Sequence, residues 1–94
     1  MARKKLTAAE LKEALTDLPK WQAAASKLQR KYKFADFAES LAFVNRIGAL
    51  AEAADHHPDI AFGWGYADIT LTTHDAGGIT DADLRLAKQI DGIG

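Results

Sequence analysis

Ile60-Ala61-Phe62-Gly63-Trp64-Gly65-Tyr66-Ala67-Asp68-Ile69-Thr70-Leu71-Thr72 reads as two strands folded back on one another. Ile60, Phe62 and Trp64 alternate with Ala61 and Gly63. Ala67, Ile69 and Leu71 then alternate with Asp68, Thr70 and Thr72. Successive side chains of a strand point to opposite faces, so each run offers one apolar face to a core. Gly65-Tyr66 supplies a two-residue Gly-X turn between them. Strands joined this tightly are antiparallel, which points to an α+β fold rather than a parallel α/β one.

Working outward, Leu28, Arg30, Tyr32 and Phe34 alternate with Lys27, Gln29, Lys31 and Lys33, which predicts a strand with one largely apolar and one basic face. Trp21 opens an extended segment before it. Between the two strand pairs, Asp36 and Glu39 can cap a helix running to about Ala54. Phe37, Leu41, Val44, Gly48 and Ala51 form one apolar stripe on this helix; Phe43, Ile47, Leu50 and Ala54 form a second. One stripe is enough to dock a surface helix. The second predicts a subunit interface, with Phe37, Leu41 and Val44 expected in the core and Phe43, Ile47 and Leu50 against the partner. Thr7-Ala8-Ala9-Glu10 has capping-box spacing and predicts a helix from about Ala8 to Asp17, ended by Pro19. Thr80 caps a last helix carrying Leu84, Ala87 and Ile90. The order is α-β-β-α-β-β-α, a single four-stranded antiparallel sheet with helices packed on one face, in one domain over residues 1–94.

Composition narrows the function. The 94 residues contain no cysteine, which removes disulfides, thiolate catalysis and cysteine-held metals. Net charge is −1, so no global field draws in nucleic acid or an acidic membrane. Met1-Ala2-Arg3-Lys4-Lys5 is basic, but no apolar run of signal-peptide length follows it, and no apolar stretch is long enough to span a membrane. A cytoplasmic protein is expected.

All three histidines fall between positions 56 and 74, two at the end of the long helix and one at the end of the last strand. Histidine is the side chain that naturally gives and takes protons near neutrality. Other readings of these residues compete. His56 and His57 could simply cap the helix C-terminus, where imidazolium favours the dipole. A zinc site could draw on His56 or His57, His74 and one of Asp55, Asp75 or Asp83, although no recognised ligand spacing is present. Ser26 and Ser40 stand in no nucleophile elbow. Gly77-Gly78 lacks the lysine and spacing of a phosphate loop. The lysines at 27, 31 and 33 read as a solvated strand face.

The linked set Glu52-Ala53-Ala54-Asp55-His56-His57-Pro58-Asp59-Ile60, Trp64, Thr72-Thr73-His74-Asp75-Ala76-Gly77-Gly78, Thr80, Asp83 and Leu86-Ala87 resembles the pterin-4a-carbinolamine dehydratases. Leu18-Pro19-Lys20-Trp21 and Phe34-Ala35-Asp36-Phe37 continue the resemblance upstream, so that it spans Leu6 to Asp91. It implies dehydration of 4a-hydroxytetrahydropterin to quinonoid dihydropterin, in the recycling of tetrahydrobiopterin, without cofactor or metal. His56, His57 and His74 are the implied catalytic residues, with His56 and His74 as the proton-transfer pair and His57 orienting the leaving hydroxyl. Asp55, Pro58, Thr73, Asp75, Ala76 and Asp83 are implied around the pterin. Asp55 is expected to hold a histidine nitrogen, and Asp83 to bind substrate or close a capping box with Thr80. Implied partners are the pterin substrate, further copies of the chain in a tetramer, and an aromatic amino acid hydroxylase that makes the substrate. The same resemblance admits non-catalytic alternatives: a transcriptional dimerisation cofactor, or an assembly factor for the carbon-fixing enzyme of carboxysomes, a class that tends to lose the histidines.

Overall fold

The computed structural model describes residues 4–93; Met1, Ala2 and Arg3 of the basic N-terminal run, and Gly94, lie outside the described residues. Helix α1 (Ala8–Ala14) is followed by β1 (Gln22–Ala24), β2 (Lys27–Lys33), α2 (Phe37–Ala54), β3 (Asp59–Gly63), β4 (Tyr66–Leu71) and α3 (Asp81–Ile93). The four strands form one antiparallel sheet in the order β1-β2-β4-β3. This is the α+β arrangement that the sequence implies. Among the described residues, no helix is long and apolar enough to cross a membrane.

Register explains the core. Leu28 pairs with Leu71, Tyr32 with Ala67, Ile60 with Ile69 and Phe62 with Ala67, which puts all of them on one face. Leu28, Ala67, Ile69 and Leu71 are fully buried there, with Ile47 of α2 and Leu86, Ala87 and Ile90 of α3 packed with them in one cluster. The opposite face carries Lys27, Gln29, Lys31 and Lys33, all exposed. Thr7 closes the expected capping box with Glu10, and α1 tightens into a 3₁₀ turn over Leu15–Asp17 before Pro19. Asp36 caps α2 by accepting from the Glu39 amide at 2.9 Å.

Two sequence expectations are corrected. The buried stripe of α2 is Ser40, Phe43, Ile47 and Ala51, whereas Phe37 and Leu41 are 44% and 39% exposed. Phe43 is drawn onto the sheet by an aromatic cluster, its ring 4.4 Å from Tyr32 and 5.1 Å from Phe34. Ser40 joins it in the core because its hydroxyl donates to the Asp36 carbonyl at 3.1 Å, leaving no unpaired polar group. The helix is therefore rotated from the expected orientation: Phe37 and Leu41 face outward, while Val44 stays half-buried against the core as expected. The hairpin turn is also displaced by one residue, to Trp64-Gly65, because Gly63 pairs with Tyr66. Gly65 supplies the positive φ of +81° that the turn needs, and its carbonyl accepts from the Phe34 amide at 2.8 Å. Trp64 consequently sits at the tip, 72% exposed, rather than in the strand.

A polar tie fastens the end of α3 to β2 and to the segment before β1. The Trp21 ring N–H donates to Asp91 at 2.8 Å, and the Arg30 guanidinium pairs with the same carboxylate. Arg30 also lies 4.1 Å from the centre of the Tyr32 ring. Burial pushes the Tyr32 phenol up from 10.0 to about 12, against the opposing pull of Arg30. Unfolded, the phenol loses its proton near 10; folded, it keeps it to about 12. The stabilising effect is therefore complete below about pH 10 and is lost as pH rises towards about 12. Urea unfolding at about pH 9 and about pH 11 should show stability falling with pH, and Tyr32→Phe should flatten that fall. An unchanged slope in the variant would show that the phenol is not the cause.

Candidate active site

The last turn of α2 sets up the site. Asp55 adopts the left-handed conformation (φ 49°, ψ 42°), its amide bonds to the Glu52 carbonyl at 3.3 Å, and the His56 amide bonds to the Ala51 carbonyl at 3.1 Å. This is a Schellman closure, with aspartate where glycine is usual. It ends the helix abruptly and sends His56 inward, 8% exposed. His57, the next residue, faces out, with its side chain 55% exposed. Pro58, half-buried, then leads into β3.

The third histidine follows β4, whose last residues pair with the start of β3, and so comes to the same end of the sheet. β4 stops at Leu71, and a tight loop follows in which the Thr73 amide donates to the Gly78 carbonyl at 2.9 Å. His74–Ala76 form a 3₁₀ turn ended by Gly77 at a φ of +74°. His74 is exposed on that turn, and Thr73 is buried beneath it. Asp55, His56, His57, Thr72, Thr73, His74 and Asp75 together line one open recess of about 240 Å³. Of the sequence-derived site residues, Pro58 and Ala76 flank this recess in sequence without lining it, and Asp83 lies behind it.

Asp83 is wholly buried and is the centre of a closed network. One carboxylate oxygen faces His56 Nε2 at 2.5 Å. The other accepts from the Thr73 hydroxyl and from the Thr80 amide, both at 2.9 Å. Thr73 gives its only hydroxyl proton to Asp83, so the 2.8 Å contact between the two threonine hydroxyls is donated by Thr80. Asp83 thus closes half of a capping box on α3 and also holds a histidine. A buried carboxylate needs donors on both oxygens, so His56 presents Nε2–H to it. Nδ1 is left as the nitrogen open to a substrate.

The carboxylates against the imidazoles are therefore Asp83 for His56 and Glu52 for His57, not Asp55 as the sequence reading had it. Glu52 and His57 are both largely exposed, so this contact contributes little to stability. Glu52 lies five residues before His57, where the Schellman turn brings the chain back onto the last turn of the helix; that geometry is invisible to helical spacing alone. Among the described residues, no group of three His, Asp or Glu side chains is arranged to hold a metal ion.

Residues 4–93 match the family model described as pterin 4 alpha carbinolamine dehydratase. A relative from Picosynechococcus sp., provisionally named pterin-4-alpha-carbinolamine dehydratase, is 45% identical over 93% of this chain and 95% of its own. One from Thermosynechococcus vestitus, with the same provisional name, is 43% identical over 95% and 94%. The crystal structure of a transcriptional coactivator/pterin dehydratase from Brucella melitensis superposes with a TM-score of 0.91 at 34% identity, covering 96% of this chain and 98% of that one. A pterin dehydratase-like protein identified as a RuBisCO assembly factor in the alpha-carboxysome gives 0.64 at 31% identity, covering 78% and 84%.

The tautomer assigned to His56 is open to direct measurement. Nitrogen-15 NMR of the neutral ring should report the proton on Nε2 and a bare Nδ1. A proton on Nδ1 would show that Asp83 does not hold the ring in this way.

Proposed function

Because this chain belongs to the pterin-4a-carbinolamine dehydratase family, we propose that it is a hydro-lyase converting 4a-hydroxytetrahydropterin to quinonoid dihydropterin. The observation that carries the proposal is the His56–Asp83 pair, a buried and oriented imidazole opening onto the same recess as His57 and His74. The fit to the transcriptional coactivator/pterin dehydratase, at TM-score 0.91, is also closer and more complete than the fit to the carboxysome assembly factor, at 0.64.

The chemistry asks for two proton transfers. A proton goes to the 4a oxygen, the C4a–O bond breaks and water departs. The N5 lone pair closes the N5=C4a double bond, and the N5 proton leaves to a base. The net change is loss of one water, with no electron gained or lost. His56 and His74 serve as the transferring pair and His57 orients the leaving hydroxyl. Each such group contributes a factor of about 10² to 10⁴. Nδ1 is the working nitrogen of His56, since Nε2 is committed to Asp83. Backbone groups of Thr73 and Asp75, with Asp55 at the opposite rim, offer hydrogen bonds and a boundary to the flat ring, and Pro58 and Ala76 shape the turns that present them. Asp83 positions His56 rather than touching the ring. The substrate is the product of an aromatic amino acid hydroxylase that uses a tetrahydropterin, which places the enzyme in tetrahydrobiopterin recycling in the cytoplasm.

The working unit is a single-domain homotetramer assembled through the outward stripe of α2. Phe37 and Leu41 lie on that stripe, and Phe37 stacks at 5.6 Å on Phe62 from the edge strand β3. Contiguous exposed apolar surface of this kind marks an interface, and closed symmetry buries it without leaving a free patch.

Two experiments test these proposals. Dehydration of chemically generated carbinolamine, followed by absorbance with and without a strong chelator, should proceed equally well in both conditions. His57→Ala and His74→Ala, and His56→Gln, which keeps a donor for Asp83, should each slow it at least about tenfold with the fold intact. Wild-type rates in all three variants, or loss of activity on chelation that added metal restores, would sink the mechanism. Light scattering after size exclusion should give a tetramer that Leu41→Glu dissociates; a monomeric wild-type protein would remove the interface.

A further inference from the structure

A second recess, of about 210 Å³, lies between α2 and α3 and shares a wall with the first. The shared residue is His56, which lines both. The histidine recess is bounded mainly by polar groups, whereas this one has an apolar wall of Leu50, Ala53, Ala54 and Leu86. Arg85 and Gln89 stand on its α3 side. The only ion pair of Arg85 among the described residues is with Asp81 at 3.5 Å, and both side chains are mostly exposed. Such a pair is weak, so the guanidinium donors remain available. Leu50 is nine positions from Leu41, roughly half a turn around the helix, so this flank is distinct from the outward stripe.

We propose that this recess receives the substituent borne by C6 of the pterin, with Arg85 and Gln89 recognising its hydroxyl groups. The inference rests on the dehydratase reading above and deepens it by assigning substrate specificity. C4a, N5 and C6 are consecutive ring atoms. A histidine that serves C4a and N5 must therefore have the first atom of the substituent beside it. His56 is the residue at that position, and the space beyond it is the α2–α3 recess. A short hydroxylated alkyl chain matches the lining: its carbons cover the leucine and alanine wall, and its hydroxyls meet a guanidinium and an amide that both donate, the amide also accepting.

The test compares kcat/KM for two carbinolamines, one made from 6-(1,2-dihydroxypropyl)tetrahydropterin and one from 6-methyltetrahydropterin. Arg85→Ala removes the donors, and Ala53→Leu fills the recess without touching them; both positions are exposed and should tolerate the change, which circular dichroism verifies. In each variant the ratio of the two efficiencies should move by at least about fivefold towards the 6-methyl compound. A ratio unchanged in both variants, while the wild type turns over both substrates, overturns the assignment and leaves the dehydratase reading standing. A wild type inactive on both compounds instead removes that reading, and this subsite with it.

Discussion

The carboxylate of Asp83 holds the site together because it cannot be left unpaired. A buried carboxylate without donors costs several kcal/mol, and breaking such a contact by removing one partner typically costs about 3–5 kcal/mol. Its donors come from three separate segments: the turn after α2, the loop after β4 and the start of α3. Satisfying one side chain therefore fixes where three elements end relative to one another. His56 is a by-product of that requirement as much as a cause of it. The ring is aimed because the interior demands a donor at its position.

The network also explains how a small core can carry a polar centre. Leu28, Ile47, Ile69, Leu71, Leu86 and Ile90 are almost completely excluded from water, and they lie on the apolar side of Asp83 and the two threonines. Thr73 and Thr80 pass their hydroxyl protons in one direction, towards the carboxylate, so each hydroxyl proton is used once. At the far end of α3, Asp91 plays a similar part with Trp21 and Arg30, but in a partly exposed position. One helix is thus pinned at both ends by an aspartate, the buried one beside the histidines and the wetter one remote from them.

Much of this was legible in the chain. Alternation over Lys27–Lys33 and Ala67–Leu71 reports the sheet and its buried face, because a period of two has only one structural meaning. Asp36, Thr7 and Thr80 announce helix starts through side chains that compete for backbone donors. What failed was whatever depended on rotation or on a single residue of register. The two stripes of α2 are nearly equal in apolar content, and the choice between them was made by the partners of Phe43 and by Ser40, a polar residue that hydrophobic counting passes over. The turn at Trp64-Gly65 was missed by one residue because Gly-X and X-Gly are both plausible on paper; pairing of Gly63 with Tyr66 decides. The turn at Ala25-Ser26, with φ of 53° and 65°, carries no glycine or asparagine to announce it. In the site, His56, His57 and His74 were visible as a cluster in sequence. Their carboxylate partners were not, since Asp83 is 27 residues from His56 and its capping role was the more local explanation.

The three histidines are not equivalent, and their difference follows from where each is attached. His56 is held by a fully buried carboxylate, His57 by an exposed glutamate that solvent can displace, and His74 by a short loop with no side-chain partner among the described residues. A dehydration needs proton transfer at two adjacent ring atoms within one bound pose. One fixed imidazole defines where the ring must lie, and two less restrained ones can then adjust to the oxygen that leaves and the proton that follows. Fixing all three would require a buried carboxylate for each, and a domain of this size has interior room to satisfy few such groups. Among the described residues, the one fully buried carboxylate stands behind the histidine that also borders the α2–α3 recess. The ring that orients the chemistry is thereby the one nearest to whatever distinguishes one pterin from another.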